Sequence, residues 1–237
     1  MPRVVIEKEY TVKHNEILEA AQRLVYTTGY EQMSIQDILD ELAISKGAFY
    51  HYFKSKQALL DGLVERMLDD AEGVLQPIAQ ASDLPAIQKL QRYFAAGSRW
   101  KTDRKSLMLN LLRIWYTDSN ALVRQKQQAA AMQRIAPVLA QIVRQGIAEG
   151  VFTTTYPDQI GNMIWGVAQG IADDVAALLL TDPPPSDALP RLEAIVGAYS
   201  EALERILGTP AGSLPLVDID LLKEWLPAPA RKRKELK

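Results

Sequence analysis

Apolar residues recur along almost the whole chain at intervals of three and four, the period of an amphipathic helix. Ile17, Ala21, Leu24, Val25 and Thr28 share one face of a helix expected from about Thr11 to Thr28, and Gly29 supplies its stop. Leu59, Leu63, Met67 and Leu68 line a longer helix, with Ser55 as its N-cap. Leu192, Ile195, Val196, Tyr199, Leu203 and Ile206 repeat the pattern late in the chain. The stretch from about Asn120 to Glu149 reads as one long helix that Pro137 should bend or break. Further breaks are expected near Pro77–Pro85, Gly97–Asp103, Gly150–Pro157, Asp182–Pro190 and Gly208–Pro215. Alternating β-branched runs are nearly absent, and Val4-Val5-Ile6, the single strand candidate, is too short to build a sheet. The expected fold class is all-α with about nine helices, the first three short and closely spaced.

Composition narrows the function. The chain has 237 residues, 48% of them hydrophobic, enough for a core without cross-links. Lysine plus arginine number 27 and aspartate plus glutamate 29, a net charge of −2 that excludes a globally basic coat but permits a local basic patch. There is no cysteine, so disulfides, thiolate catalysis and cysteine zinc sites fall away together. Two histidines, His14 and His51, are too few for a histidine-rich metal centre. No residue set points to a metal, nucleotide or covalent cofactor. The N-terminus lacks the apolar core of a signal peptide. The longest apolar run, Val175 to Leu180, is far short of the roughly 20 residues of a spanning helix. A cytoplasmic protein with no membrane partner is expected.

The informative stretch runs from Ser34 to Phe53. Ser34 and Asp37 have the spacing of a helix-capping box. Ile35, Ile38, Leu39 and Leu42 make an apolar stripe, Ala43-Ile44 a turn, and Ser45 caps a second helix whose inward residues are Phe49 and Phe53. Two short helices joined this tightly form a helix-turn-helix, whose second helix can enter a major groove. Lys46, Gly47, Ala48, Tyr50, His51 and Tyr52 occupy the start and outer side of that second helix. Gly47 and Ala48 are small enough for close approach to a phosphate, and tyrosine and histidine bond phosphates or base edges. From Leu42 to Ala58 there are three lysines and no acidic residue, a local excess suited to a polyanion. The same residues also permit a blander reading: an aromatic packing corner beside a solvated lysine face.

Residues from about Val12 to Leu63 resemble the DNA-binding domain of the tetracycline-repressor (TetR) family of bacterial transcription regulators. The matching pieces are Ile17–Ala21, Gly29-Tyr30, Ser34–Ile38 and the ungapped run from Ile44 to Leu60. Two departures stand out: Ala43 where the family usually has glycine in the turn, and Ala48 where it often has threonine. By position, the resemblance implies that Ser34 meets a phosphate and that Gln36 faces the groove edge. It implies that Lys46, Gly47, Tyr50, His51 and Tyr52 form the recognition surface, and that Lys56 holds a phosphate. Gln36 and Lys46 have the best chemistry for base edges. The implied partner is double-stranded DNA carrying a palindromic operator.

The resemblance also implies a variable helical domain that binds a small effector and moves two DNA-reading heads apart. Tyr93, Phe94, Trp100, Met108, Trp115 and Tyr116, with Asn162, Trp165, Gln169 and Asp173, mix large apolar and a few polar groups as a ligand pocket does. Aromatics at this spacing are also ordinary core, and the polar residues suit a subunit interface equally. The expected effector is mostly apolar or aromatic, with few hydrogen-bonding groups.

Gly166 and Gly170, with Ala168, Ala172 and Ala176, form a small-residue stripe suited to close helix approach, either inside one subunit or between two. With the helix from about Ala188 to Leu207 it would make the four-helix interface of a homodimer, as in the resembled family. The domain organisation expected is a DNA-binding domain at 1–55, a ligand and dimerisation domain at 56–208 and an extension at 209–237. In that extension Asp218–Leu226 forms a short helix and Arg231-Lys232-Arg233-Lys234 a solvated tail, or a further DNA contact. The function read from this is a ligand-responsive regulator, most simply a repressor. Two alternatives remain. A helical enzyme lacks any readable nucleophile–base pair or other catalytic residue. A protein-interaction module of the same fold is opposed by Lys46, Tyr50, His51 and Lys56.

Overall fold

The computed structural model describes residues 3–118 and 121–226, with side chains from Glu9 onward except at 122, 123 and 126. The basic run Arg231-Lys232-Arg233-Lys234 lies outside the described residues. Among those described there are ten helices and no strand. They are α1 (Arg3–Thr27), α2 (Ile35–Leu42), α3 (Lys46–Tyr52), α4 (Lys56–Gln80) and α5 (Ala86–Asp103), then α6 (Lys105–Trp115), α7 (Ala121–Ala148), α8 (Pro157–Leu179), α9 (Ala188–Leu207) and α10 (Ile219–Lys223). The strand candidate Val4-Val5-Ile6 lies inside α1, which at 25 residues is long rather than short. No described helix is long and apolar enough to cross a membrane.

The chain forms two compact units, each interrupted in sequence. One comprises Met1–Gly73 and Arg104–Lys126, the other Val74–Asp103 and Gln127–Lys237. The first is built on α1, whose Ile17, Leu18, Ala20, Ala21 and Val25 are all buried. Against them pack Ile38 and Leu39 of α2, Phe49 of α3, Leu59, Leu60 and Leu63 of α4, and Leu107, Leu111 and Ile114 of α6. Asn110 Nδ2 donates to the Val25 carbonyl at 3.0 Å, tying α6 to the end of α1. Gly29 sits at φ +85°, the left-handed conformation that stops α1.

The two internal prolines do not end their helices. Pro77 lies inside α4 and Pro137 inside α7. A proline deprives the carbonyl four residues earlier of its donor. Here Pro77 and Gly73, and likewise Pro137 and Gln133, all lie on exposed faces, so water can serve the orphaned carbonyls. The periodicity that signalled each helix therefore outweighs the proline that signalled its end.

Hydroxyl caps organise the helix-turn-helix. Ser34 Oγ accepts from the Asp37 N–H at 3.2 Å, while the Ser34 N–H donates to Asp37 Oδ2 at 2.7 Å. Ser45 Oγ accepts from the Ala48 N–H, and Ser55 Oγ from the Ala58 N–H. Ala43 ends α2 in the left-handed region, at φ 50° and ψ 43°. An L residue with a Cβ is strained there by about 1–2 kcal/mol.

In the second unit Leu90 of α5, Leu139, Ile142 and Val143 of α7, Ile160 and Ile164 of α8, and Leu203 and Leu207 of α9 share one core. At Gly161 a Cβ would stand 2.0 Å from the Ala136 carbonyl oxygen, so α7 and α8 approach where only glycine fits. The segment after α9 folds back. The buried Glu204 carboxylate accepts from the N–H groups of Gly212 at 3.0 Å and Leu214 at 2.8 Å. Gln91 Nε2 donates to the Ser213 carbonyl, and Trp225 Nε1 to Thr102 Oγ1 at 3.0 Å. Leu222 joins the buried cluster around Leu192, and Trp225 and Leu226 pack against it.

Replacing Ala43 with glycine should relieve the backbone strain at the turn, less the entropy glycine loses on folding. The expected gain is about 0.5–1 kcal/mol in a denaturant titration of the full chain. The Asp37 carboxyl is held below its ordinary value, first by the hydrogen bond from the Ser34 backbone N–H, then by the Ser34 side chain and the charge of Lys56. A depressed carboxylate stabilises the folded form above its ordinary value of about 3.9 and loses that effect as pH falls through the lowered one. Protection of the Ser34 amide against hydrogen exchange should therefore fall on acidification, and Asp37→Asn should abolish that pH dependence.

Candidate nucleic-acid interface

Burial of Phe49 and Phe53 fixes which side of α3 faces outward. Lys46, Gly47 and His51 are exposed, while Ala48, Tyr50 and Tyr52 are half-buried. Nothing but the Ser45 hydroxyl lies within 4 Å of a Cβ built at Gly47, so the start of α3 is open. The N–H of Ala48 is already committed to Ser45. Tyr50 sits edge-on to Phe49 with ring centroids 5.4 Å apart, so part of its role is packing. Lys54 Nζ donates to the Tyr50 carbonyl at 3.0 Å, placing a cation at the C-terminal end of α3.

The flanking residues are similarly part-engaged. Ser34 is exposed, and its side chain is hydrogen-bonded to Asp37. Gln36 is exposed and donates through Nε2 to Asp40 Oδ1 at 2.8 Å, leaving its amide oxygen as the acceptor it can present. Lys56 Nζ lies 4.4 Å from the Tyr30 ring centroid and 3.4 Å from the Glu31 carbonyl oxygen. Burial, followed by the charges of Glu31 and Asp61, pushes the Tyr30 phenol up to about 12, so the ring under Lys56 stays neutral. The structure thus gathers Lys46, Gly47, Tyr50, His51 and Tyr52 on one seven-residue helix. Ser34 and Gln36 flank it at the start of α2, and Lys56 at the start of α4.

Sequence reasoning missed one neighbour of this surface. Tyr10 of α1 lies 4.7 Å from Tyr52 and 5.7 Å from His51 between ring centroids. His14, one turn later, stacks on Phe53 at 4.6 Å. The signal was present as an i, i+4 aromatic pair extending the apolar stripe of α1 toward its start.

The residues expected around an effector divide between the units. Met108 packs on the core of the first unit. Trp115 and Tyr116 are half-buried at the end of α6, where Arg124 donates to the Trp115 carbonyl and lies over the Tyr116 ring at 4.9 Å. In the second unit Tyr93 and Trp100 are buried, and Phe94 stands edge-on to Tyr93 at 6.1 Å. On α8, Trp165 and Gln169 are half-buried, and Asn162 and Asp173 are exposed. A groove of about 450 Å³ runs between α7 and α8, lined by Met132, Gln133, Ala136, Pro137 and Ala140 with Arg144, Asp158 and Asn162. Of the residues named from sequence, Asn162 reaches it. Arg144 closes its rim by pairing with Asp158 at 2.7 Å.

The small-residue stripe of α8 is used in two ways. A Cβ at Gly170 would meet the Tyr199 hydroxyl of the same chain at 2.6 Å, and that hydroxyl donates to Asp174 Oδ2 at 3.0 Å. Gly170 therefore admits α9 within the subunit. Gly166 on α8 and Gly197 on α9 are exposed, with nothing within 4 Å of a Cβ at either.

Residues 17–63 match the family model for bacterial regulatory proteins of the tetR family, and residues 110–175 match a tetracyclin repressor-like C-terminal domain. Over 86 residues the chain is 27% identical to the HTH-type transcriptional repressor DhaR of Mycobacterium sp. (strain GP1), covering 36% of this chain and 43% of that one. Over 85 residues it is 30% identical to the HTH-type transcriptional repressor KstR2 of Mycolicibacterium smegmatis, covering 36% and 41%. The matched segments thus span less than half the length of these curated relatives. A TetR-family transcriptional regulator from Pectobacterium atrosepticum has the same fold at TM-score 0.62 and 18% identity, covering 89% of this chain and all of that one. A transcriptional regulator from Cytophaga hutchinsonii superposes at TM-score 0.59 and 18% identity, covering 90% of this chain and 97% of that one. With one family model on the helix-turn-helix and a second on the stretch from α6 into α8, the chain belongs to the tetR family of bacterial regulatory proteins.

Proposed function

We propose that this protein is a homodimeric transcriptional repressor that binds a palindromic operator and leaves it when a small, mostly apolar effector binds, acting in the bacterial cytoplasm. The observation that carries the reading is the outward side of α3. Buried phenylalanines hold it rigidly, Lys46, Gly47 and His51 stand exposed on it, and no acidic residue interrupts the chain from Leu42 to Ala58. In a chain of net charge −2 such a surface suits the phosphate backbone. The names of DhaR and KstR2 as repressors support repression over activation. Ser34, Tyr50, Tyr52 and Lys56 hold phosphates in this reading, and Gln36 and Lys46 reach base edges.

Release requires the effector to favour a conformation of low DNA affinity, which it does only by binding that conformation more tightly. The effector sits in the groove between α7 and α8, against the apolar side chains of Met132, Ala136, Pro137 and Ala140, with Asn162 orienting a polar group. The dimer forms through α8 and α9, whose exposed glycines let a second copy approach.

Lys46→Ala should weaken binding by about 1–3 kcal/mol and relax the sequence preference at the base it reads. Lys56→Ala should weaken binding to all sequences and lower the slope of log affinity against log salt by about one, with some loss of stability, because it also strips the Tyr30 ring of its cation. Tyr50→Phe, which keeps the packing on Phe49, should weaken binding to all sequences. Fluorescence anisotropy on a duplex recovered by in vitro selection is the measurement, and unchanged affinity in all three variants would refute the assignment.

Gly166→Arg and Gly197→Arg should convert the dimer to monomer in sedimentation velocity. Neither should unfold the subunit, since the space around both is open and arginine is the better helix former by about 1 kcal/mol. A dimer undisturbed by both variants would move the interface elsewhere.

A further inference from the structure

The apolar stripe of α1 does not stop where the core stops. Leu18 is buried, His14 one turn earlier is half-buried, and Tyr10 one turn earlier again is 41% exposed. Each step of four residues advances the helix by about 6 Å. The stack of His14 on the buried Phe53 fixes the register between α1 and the end of α3. Gly62 of α4 seals that corner, since a Cβ there would stand 3.0 Å from Phe53 and 3.2 Å from Leu18. Tyr10 is therefore carried rigidly to the exposed flank of α3, tilted against Tyr52 and presenting an edge to His51. It lies outside the 17–63 family match.

A tyrosine placed for packing alone has no need to leave two-fifths of its surface in water. Its ring is held at a fixed place beside two residues of the recognition surface, at little entropic cost for ordering it on a partner. From this geometry we propose that Tyr10 is itself a DNA-contacting residue, its phenolic O–H donating to a backbone phosphate that flanks the recognition helix. The inference rests on the DNA-binding reading above and extends the contact surface onto α1. Phosphate rather than base is the partner, because Tyr10 meets α3 at His51 and Tyr52, its C-terminal end, and tyrosine hydroxyls are ordinary phosphate donors. The contact is neutral, so it positions the duplex without releasing a counterion.

Tyr10→Phe removes the hydroxyl and keeps the ring on Tyr52. With the full chain and a duplex recovered by in vitro selection, it should weaken binding about three- to tenfold, the range of one hydrogen bond. Thermal unfolding and the salt slope should not change. Ethylation interference should lose sensitivity at one phosphate per half-site while the others remain. If Tyr10→Phe binds like the wild type while Tyr10→Ala loses affinity, the residue only packs and the proposal is wrong. A wild-type chain that selects no duplex would overturn the DNA-binding reading itself, and this inference with it.

Discussion

Everything in the first unit leans on the buried stripe of α1. Ile17, Ala20, Ala21 and Val25 are completely buried, so α1 is a spine with partners on several sides. At roughly 1.5–3 kcal/mol for each large apolar side chain taken from water, burial against this stripe helps to order α2 and α3. Those two helices have eight and seven residues, below the length at which a helix persists alone in water. They are helical because α1 offers Ile38, Leu39 and Phe49 a surface. The same packing decides which residues remain outside, and so the recognition surface is a by-product of how the core is filled.

The candidate interface is economical in its hydrogen bonding. Ser34, Gln36, Tyr50 and Lys56 each serve the fold before they serve any partner, as cap acceptor, amide donor to Asp40, packing ring and cation over Tyr30. Lys46, Gly47 and His51 are less engaged. Substitutions among the first group mix loss of stability with loss of contact, whereas those at Lys46 report on contact more cleanly.

What could be read from the chain alone followed from local chemistry. The caps at Ser34, Ser45 and Ser55 and the stop at Gly29 involve partners within four residues, and each is present. The turn expected at Ala43 is likewise there, in the left-handed conformation that favours the glycine usual at that position. Features set by distant partners were not legible. Pro137 reads as a bend or break, but α7 runs through it, with the Gln133 carbonyl it orphans on an exposed face. Gly170 reads first as a residue of the subunit interface, yet Tyr199 of the same chain, 29 residues away, occupies the space beside it. Glu204 reads as one more surface glutamate until the chain folds back to give it two backbone donors. Tyr10 was overlooked because its neighbours His51 and Tyr52 sit 41 and 42 residues later.

The backward fold after α9 sets an order of events. The bonds from Gln91 to Ser213 and from Trp225 to Thr102 join residues 122 and 123 apart, so the second unit cannot close until the chain has been made to about residue 225. The first unit is complete once residue 126 has emerged. At about 5–20 residues per second, the intervening hundred residues take the ribosome about 5–20 s. For that interval the first unit has all of its own residues, while the second still lacks the segment that closes it.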